Sequence, residues 1–186
     1  MNNSNNTYIN KISIFTFLIG TIIFTQSCQK EKNNLTNLEK KAIIDSAKAI
    51  VEKVFESSNN LKFIDGLNYY SGDSDAYYTN NGAILNLGDL KKSYSQIGSS
   101  VEILNNSIDK WNSTFISENT VAFTLPINLK IKLVGIPEYN GQLVWSGIVQ
   151  KRNEKWMIIQ SHESWLNCIE VLSALTESDN NIKYCL

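Results

Sequence analysis

The chain has 186 residues, of which 42% are hydrophobic and 19% are charged, and its formal net charge is −1. This length favours a single domain, and the apolar fraction is sufficient for a buried core. No run of basic residues is present, so nucleic acid is not expected as a partner. The chain has one histidine and neither a zinc-ligand set nor a glycine-rich phosphate loop, so no metal and no other cofactor is predicted.

The N-terminal segment has the pattern of an export signal. Lys11 precedes an uncharged apolar run over residues 12–24, and this run is shorter than the about 20 residues that a membrane span requires. The run leads to Ser27-Cys28, which resembles the lipobox of bacterial lipoproteins, although Thr25 stands where leucine is usual. We therefore predict a lipoprotein signal peptide over residues 1–27, lipidation at Cys28 and a tether over residues 28–35. The alternative is an uncleaved N-terminal anchor.

The lipid would hold the protein at a membrane of the cell envelope, because two or three acyl chains make attachment stable. Gln29 replaces the aspartate that, by resemblance to other lipoproteins, favours retention at the inner membrane. We expect the outer membrane of a Gram-negative bacterium. Cys168 and Cys185 then remain as a pair in an oxidising compartment, where they either form a disulfide or stay as two free thiols.

Helical patterns precede strand patterns in the mature chain. Thr36 and Glu39 form a capping box, and apolar residues at three- and four-residue steps behind it predict a helix of about 20 residues. A second helix, which buries Leu61, Ile64 and Leu67, is predicted from Leu61 to Tyr69, and a third over residues 89–97. Strand patterns occupy a hairpin over residues 76–85 and four long segments, at 101–116, 119–134, 142–152 and 155–165. Residues 166–176 are predicted as a terminal helix and residues 177–186 as a polar tail.

Segregation of helices from an antiparallel sheet defines the α+β class. Long strands joined by short turns twist and curl. The sequence therefore predicts a cone-shaped, strongly curved antiparallel sheet, with the N-terminal helices packed on its concave face and one open mouth. We assign residues 36–176 to this domain.

The order of elements and the closing strands resemble the nuclear transport factor 2-like superfamily, also called SnoaL-like, which has a cystatin-like fold. The resemblance covers residues 36–165, and its main carriers are the leading helix, the segment 67–82 and the ending with Trp145, Trp156 and His162-Glu163-Ser164. It implies a cone mouth that accepts small apolar ligands, and a homodimer through the sheet. Some members are isomerases, cyclases or dehydratases, whereas others only bind or assemble, so the fold alone does not assign a function.

The carboxylates of the isomerase-like members have no counterpart in this sequence. Those members place an aspartate base just before the turn glycine that follows the first strand, and a protonated aspartate in the oxyanion hole. The matching segments here are residues 79–82, Thr-Asn-Asn-Gly, and residues 145–148, Trp-Ser-Gly-Ile. Proton abstraction in the manner of that template is therefore disfavoured.

His162 is the remaining candidate for acid–base chemistry. Strict alternation along the last strand places residues 156, 158, 160, 162 and 164 on one side and residues 157, 159, 161, 163 and 165 on the other. If the first set lines the cone, His162 is a polar group of the pocket and Asp75 could orient it. The alternatives are a structural histidine at the rim and a turn aspartate. Candidates for the pocket wall, or else plain core or interface residues, are Tyr69, Tyr77, Trp111 and Trp145.

Two functions follow from these observations. The first is a membrane-anchored, non-catalytic module that binds a small, mostly apolar ligand or a partner chain. The second is a SnoaL-like enzyme, an isomerase, dehydratase or hydrolase, that uses His162 with Asp75. The position of these two side chains separates the hypotheses, because catalysis requires them within hydrogen-bond reach at the floor of a cavity.

Overall fold

The computed structural model describes residues 35–80, 83–135 and 137–165. The helices are α1 (Asn37–Asn59), α2 (Phe63–Gly66), a 3-10 helix (Leu67–Tyr69) and α3 (Leu87–Gly98). The strands are β1 (Tyr77–Asn80), β2 (Ala83–Leu85), β3 (Val101–Ile108), β4 (Asn112–Ser117), β5 (Thr120–Leu133), β6 (Tyr139–Arg152) and β7 (Lys155–Trp165). This arrangement confirms the predicted α+β class. The predicted signal peptide, Cys28, the terminal helix and the Cys168–Cys185 pair lie outside the described residues.

Helix α1 begins at the predicted capping box. The Thr36 hydroxyl accepts a hydrogen bond from the Glu39 amide at 3.2 Å, and the Glu39 carboxylate accepts one from the Thr36 amide at 2.7 Å. These two bonds satisfy amides that have no partner within the helix. The apolar stripe of α1 then buries Ala47, Val51 and Val54.

The second predicted helix is wrong in its start and in part of its buried set. Leu61 has a positive φ of 58° and belongs to the turn that ends α1, so α2 begins only at Phe63. This start changes which side chains face the core: Phe63 and Leu67 are buried, whereas Leu61 and Ile64 are exposed.

The sheet contains seven strands in the order β2-β1-β7-β6-β5-β3, and β4 pairs with β5 beyond the end of β3. The long strands β5, β6 and β7 pair antiparallel, as predicted, but β1 pairs with β7 in parallel. The predicted single strand over residues 101–116 is also wrong, because β3 and β4 are separated by residues 109–111. The interruption lies opposite Pro126 of β5, which has no amide hydrogen to donate to a neighbouring strand.

The sheet curves around α1. This helix packs against β3, β4 and β5, and it also packs against β7, which lies beyond β6 in the strand order. Alternate residues of β5 are therefore buried on the side that faces the helices, namely Val121, Phe123, Leu125, Ile127 and Leu129. Within the described part of the chain, no helix is long and apolar enough to cross a membrane.

Candidate functional site

A β-bulge in β7 decides which side chains of the last strand face the helices. Ile148 of β6 pairs with Gln160, but the next residue of β6, Val149, pairs with Ile158. Ile159 is therefore left without a paired residue on β6. An unpaired residue reverses the alternation of side chains along a strand. Ile158 and Ser161 are consequently both buried although they are three residues apart.

Beyond the bulge, the odd-numbered residues face the helices, and Glu163 is one of them. Glu163 lies opposite Trp145 of β6, which is 2% exposed and packs edge-on against Phe55 of α1 with ring centroids 5.8 Å apart. Cross-strand partners share one side of a sheet. Glu163 therefore carries its carboxyl group to the helix-facing side.

The carboxyl group of Glu163 lies near the hydroxyl group of Tyr94 of α3, and each affects the ionisation of the other. Glu163 as a residue is only partly buried, but loss of water around its carboxyl group raises its pKa to about 7, and the interaction with Tyr94 opposes this rise. The nearby carboxylate and burial together hold the pKa of Tyr94 well above its ordinary value. At neutral pH, Tyr94 is thus a hydroxyl donor, and Glu163 is present in both protonation states.

Tyr70 forms a second polar contact beside this pair. It is 7% exposed, lies near the polar groups of Ser161 and Trp145, and packs edge-on against Tyr78 with centroids 4.9 Å apart. Burial, followed by the charge of Glu163, raises the pKa of Tyr70 above its ordinary value. The Tyr78 hydroxyl donates a hydrogen bond to the carbonyl oxygen of Ser71 at 2.6 Å, and this bond fixes the Tyr78 ring beside Tyr70.

A groove open to solvent adjoins Tyr94. It has a volume of about 400 Å³ and lies between the segment 61–65 and the C-terminal half of α3. Phe63 and Tyr94 lie side by side along it with ring centroids 5.9 Å apart. Tyr94 therefore both lines the groove and lies near the carboxyl group of Glu163.

No family model matches the sequence, and no curated protein matches it either. Solved structures do match. A nuclear transport factor 2-like superfamily protein of Salmonella enterica aligns over 67% of this chain and 92% of its own length, with a TM-score of 0.60 and 10% identity. A hexachlorocyclohexane dehydrochlorinase of Novosphingobium barchaimii aligns over 70% and 91%, with a TM-score of 0.61 and 11% identity.

A third match is a nuclear transport factor 2-like protein of unknown function from Shewanella oneidensis, with a TM-score of 0.51, 17% identity, and coverage of 65% of this chain and 98% of that chain. The domain has the nuclear transport factor 2-like fold. At these identities the similarity concerns the fold alone, so the site has to be judged on its own residues.

In this domain, His162 does not face the helices, so the condition under which it would be a polar group of the pocket is not met. It is exposed on the opposite side of the sheet, between Ser146 of β6 and Thr79 of β1. Asp75 is also exposed, and both of its carboxylate oxygens accept hydrogen bonds from Arg152 at 2.7 Å. These bonds and the guanidinium charge hold the pKa of Asp75 below its ordinary value. The structure therefore does not assemble His162 and Asp75 into a dyad.

The four predicted wall residues have different surroundings. Trp145 faces the helices, whereas Tyr77 is 42% exposed and pairs with Gln160 on the side of His162. Tyr69 and Trp111 are partly buried at the edge of the core, where the ammonium groups of α1 lysines lie 5.5 Å and 4.6 Å from their ring centroids. Only Trp145 among the four is a cross-strand partner of Glu163.

Sequence reasoning missed Glu163 and Tyr94. Glu163 fell in the set of residues that was not considered as lining the cone, because the bulge at Ile159 cannot be recognised from alternation alone. A usable signal was an acidic residue within an otherwise uncharged strand end, Ile-Ile-Gln-Ser-His-Glu-Ser-Trp. Among the described residues, no group of three or more histidine, cysteine, aspartate or glutamate side chains could hold a metal ion.

Proposed function

We propose that this protein is an exported, lipid-anchored envelope protein whose nuclear transport factor 2-like domain binds a small molecule without transforming it. One observation carries the proposal: Tyr94 joins an open groove to a carboxyl group on the helix-facing side of the sheet. Binding sites for small molecules are typically apolar clefts with a few fixed polar groups. Phe63 and Tyr94 line the groove, and Glu163 is connected to it through Tyr94.

Two features favour binding over catalysis. Acid–base catalysis generally uses a proton donor and a proton acceptor that both reach the substrate. The template positions at residues 79–82 and 145–148 carry no carboxylate, and the only histidine lies on the other side of the sheet. The tyrosines beside Glu163 have pKa values raised further above neutrality, so they are poor proton acceptors or donors at physiological pH.

The test is native mass spectrometry of the full-length protein purified from its own host. The wild type is expected to carry a co-purified molecule, and Tyr94→Phe and Glu163→Gln are expected to lose it. His162→Gln is the matched control, because its side chain lies on the opposite side of β7, and it should retain the molecule. A molecule retained by both interior variants, or a wild type with no bound molecule, contradicts the proposal.

An acid–base enzyme that uses Glu163 is the second candidate. It is favoured by the pKa of about 7, which keeps both protonation states of this carboxyl group populated near neutral pH. Incubation of the co-purified molecule with excess wild-type protein separates the two functions. Chemical conversion that stops in Glu163→Gln supports the enzyme, whereas recovery of the unchanged molecule supports binding.

We also propose that two copies associate through the outer side of the sheet. Ala122 of β5 and Ile148 of β6 are cross-strand partners on that side, and Val144 lies on the same side, so a small apolar patch interrupts a polar surface. Ile148→Glu would place a charge in this contact. The variant should shift the mass of the particle from two copies to one, and an unchanged mass contradicts this interface.

A further inference from the structure

A second groove lies on the outer side of the sheet, where β3, β5 and β6 pair. It is open to solvent and has a volume of about 390 Å³. Its polar side chains belong to two rows that cross these three strands, Ser107–Asn128–Gln142 and Asn105–Lys130–Asn140. Because alternate residues of a strand share a side, both rows stand on the outer side of the sheet, with the Leu129–Gly141 pair between them.

The first row is held in place by a carboxylate that does not line the groove. Gln142 Nε2 donates a hydrogen bond to Asn128 Oδ1 at 3.0 Å, and Asn128 Nδ2 donates one to Asp109 at 2.5 Å. These two bonds leave further donor and acceptor positions on the Gln142 amide. Ser107 is exposed and forms no side-chain hydrogen bond with any described residue. The row therefore offers fixed polar groups to a ligand, and such ordering lowers the entropy lost on binding.

The second row carries a positive charge that already has a partner. Glu138, which does not line the groove, pairs with the Lys130 ammonium group at 2.9 Å and accepts a hydrogen bond from Asn140 at 3.3 Å. Asn105 is exposed and forms no side-chain hydrogen bond with any described residue. Since the described lining includes no carboxylate and its one ammonium group is paired, the groove is poorly suited to a metal ion or an anion.

We propose that this groove binds a neutral saccharide, whose hydroxyl groups exchange hydrogen bonds with the side chains of the two rows. A hydroxyl group both donates and accepts, and so does an amide side chain, so neighbouring sugar hydroxyls match neighbouring amides. The three strands span about 10 Å, and the volume of the groove lies in the range of small-molecule sites, which suits a short oligosaccharide. This site is separate from the groove at Tyr94, and the inference does not depend on the function proposed for that groove.

The test is isothermal titration calorimetry of the full-length protein with four neutral probes, cellotetraose, maltotetraose, mannotetraose and chitotetraose, and with tetragalacturonate as an anionic probe. At least one neutral probe should bind more tightly than tetragalacturonate. Asn105→Ala combined with Gln142→Ala removes two exposed amides and should weaken this binding at least about tenfold. Asn119→Ala, at an exposed amide near the opposite end of β5, is the matched control and should retain it.

The outcomes separate a saccharide site from a contact between copies of the chain. Failure of all four neutral probes to bind, equal or tighter binding of tetragalacturonate, or an affinity that survives the double variant overturns the inference. A double variant that falls from two copies to one in native mass spectrometry, while the wild type binds no probe, assigns the groove to a second copy instead. Tyr94→Phe should leave the saccharide affinity unchanged, and a loss in this variant places the saccharide in the other groove and also overturns the inference.

Discussion

Replacement of Glu163 by glutamine should stabilise the domain, and the gain should depend on pH. Glutamine has nearly the same shape and keeps an oxygen that can accept a hydrogen bond. It cannot ionise, so it removes the cost of holding a charge in a partly dehydrated place. The substitution therefore isolates the electrostatic contribution of one carboxyl group.

The sign and size of the effect follow from the two pKa values. The pKa of Glu163 is about 7 in the folded state against an ordinary value of 4.5. Between these pH values the folded state binds more protons than the unfolded state, so the free energy of unfolding of the wild type falls as pH rises. At about 1.4 kcal/mol per pH unit, the loss reaches about 3 kcal/mol above pH 7, and partial exposure reduces it to about 1–3 kcal/mol.

Urea denaturation of both proteins between pH 4.5 and 8.5 measures this difference directly. Near pH 4.5 the curves should nearly coincide, and by pH 8 the variant should be more stable by about 1–3 kcal/mol. In thermal unfolding at pH 8, its midpoint should be higher by about 2–4 °C per kcal/mol. Glu138→Gln is the control with the opposite sign, because Lys130 lowers the pKa of Glu138. A constant difference between wild type and Glu163→Gln across this range would refute the assignment of a buried, ionisable carboxyl group.

Three further predictions concern other parts of the chain. Gly147→Ala should lower the free energy of unfolding by about 1–3 kcal/mol in urea denaturation. A Cβ at this position would overlap the Trp145 indole and lie 3.0 Å from a backbone oxygen of β7. An unchanged denaturation midpoint contradicts this packing. Arg152→Gln should destabilise the domain at neutral pH in urea denaturation. Its effect should shrink as pH falls below 3.8, because its partners Asp73 and Asp75 then become protonated. An effect that stays constant down to pH 2 contradicts this ion pair. Cys28→Ala should move the protein from the membrane fraction to the soluble fraction, and continued membrane association would favour an uncleaved anchor.

The local features of the fold were predictable because each depends on neighbours in the sequence. The capping box at Thr36 and Glu39 requires residues three apart, and the strand patterns of β5 and β6 repeat every second residue. Such signals indicated the α+β class and the order of helices before strands. The start of α2 was predicted two residues early, because the positive φ of Leu61 has no marker in its side chain.

The candidate site was not predictable from the same signals. The bulge at Ile159 exists only in the pairing of β7 with β6, and it exchanges the two sides of the strand for every residue that follows. It placed Glu163 toward the helices and His162 toward solvent. Tyr94 meets Glu163 from a helix about 70 residues earlier in the chain, a contact that no local spacing encodes.

Residue order alone was enough for the fold class, for the N-terminal capping of α1 and for the lack of carboxylates at the isomerase template positions. The parallel pairing of β1 with β7 and the choice of Glu163 over His162 as the polar group beside the core emerged only once the strands were assembled. Periodicity reports which residues of one element share a side. Pairing between strands fixes which side faces the core, and that property belongs to two segments together.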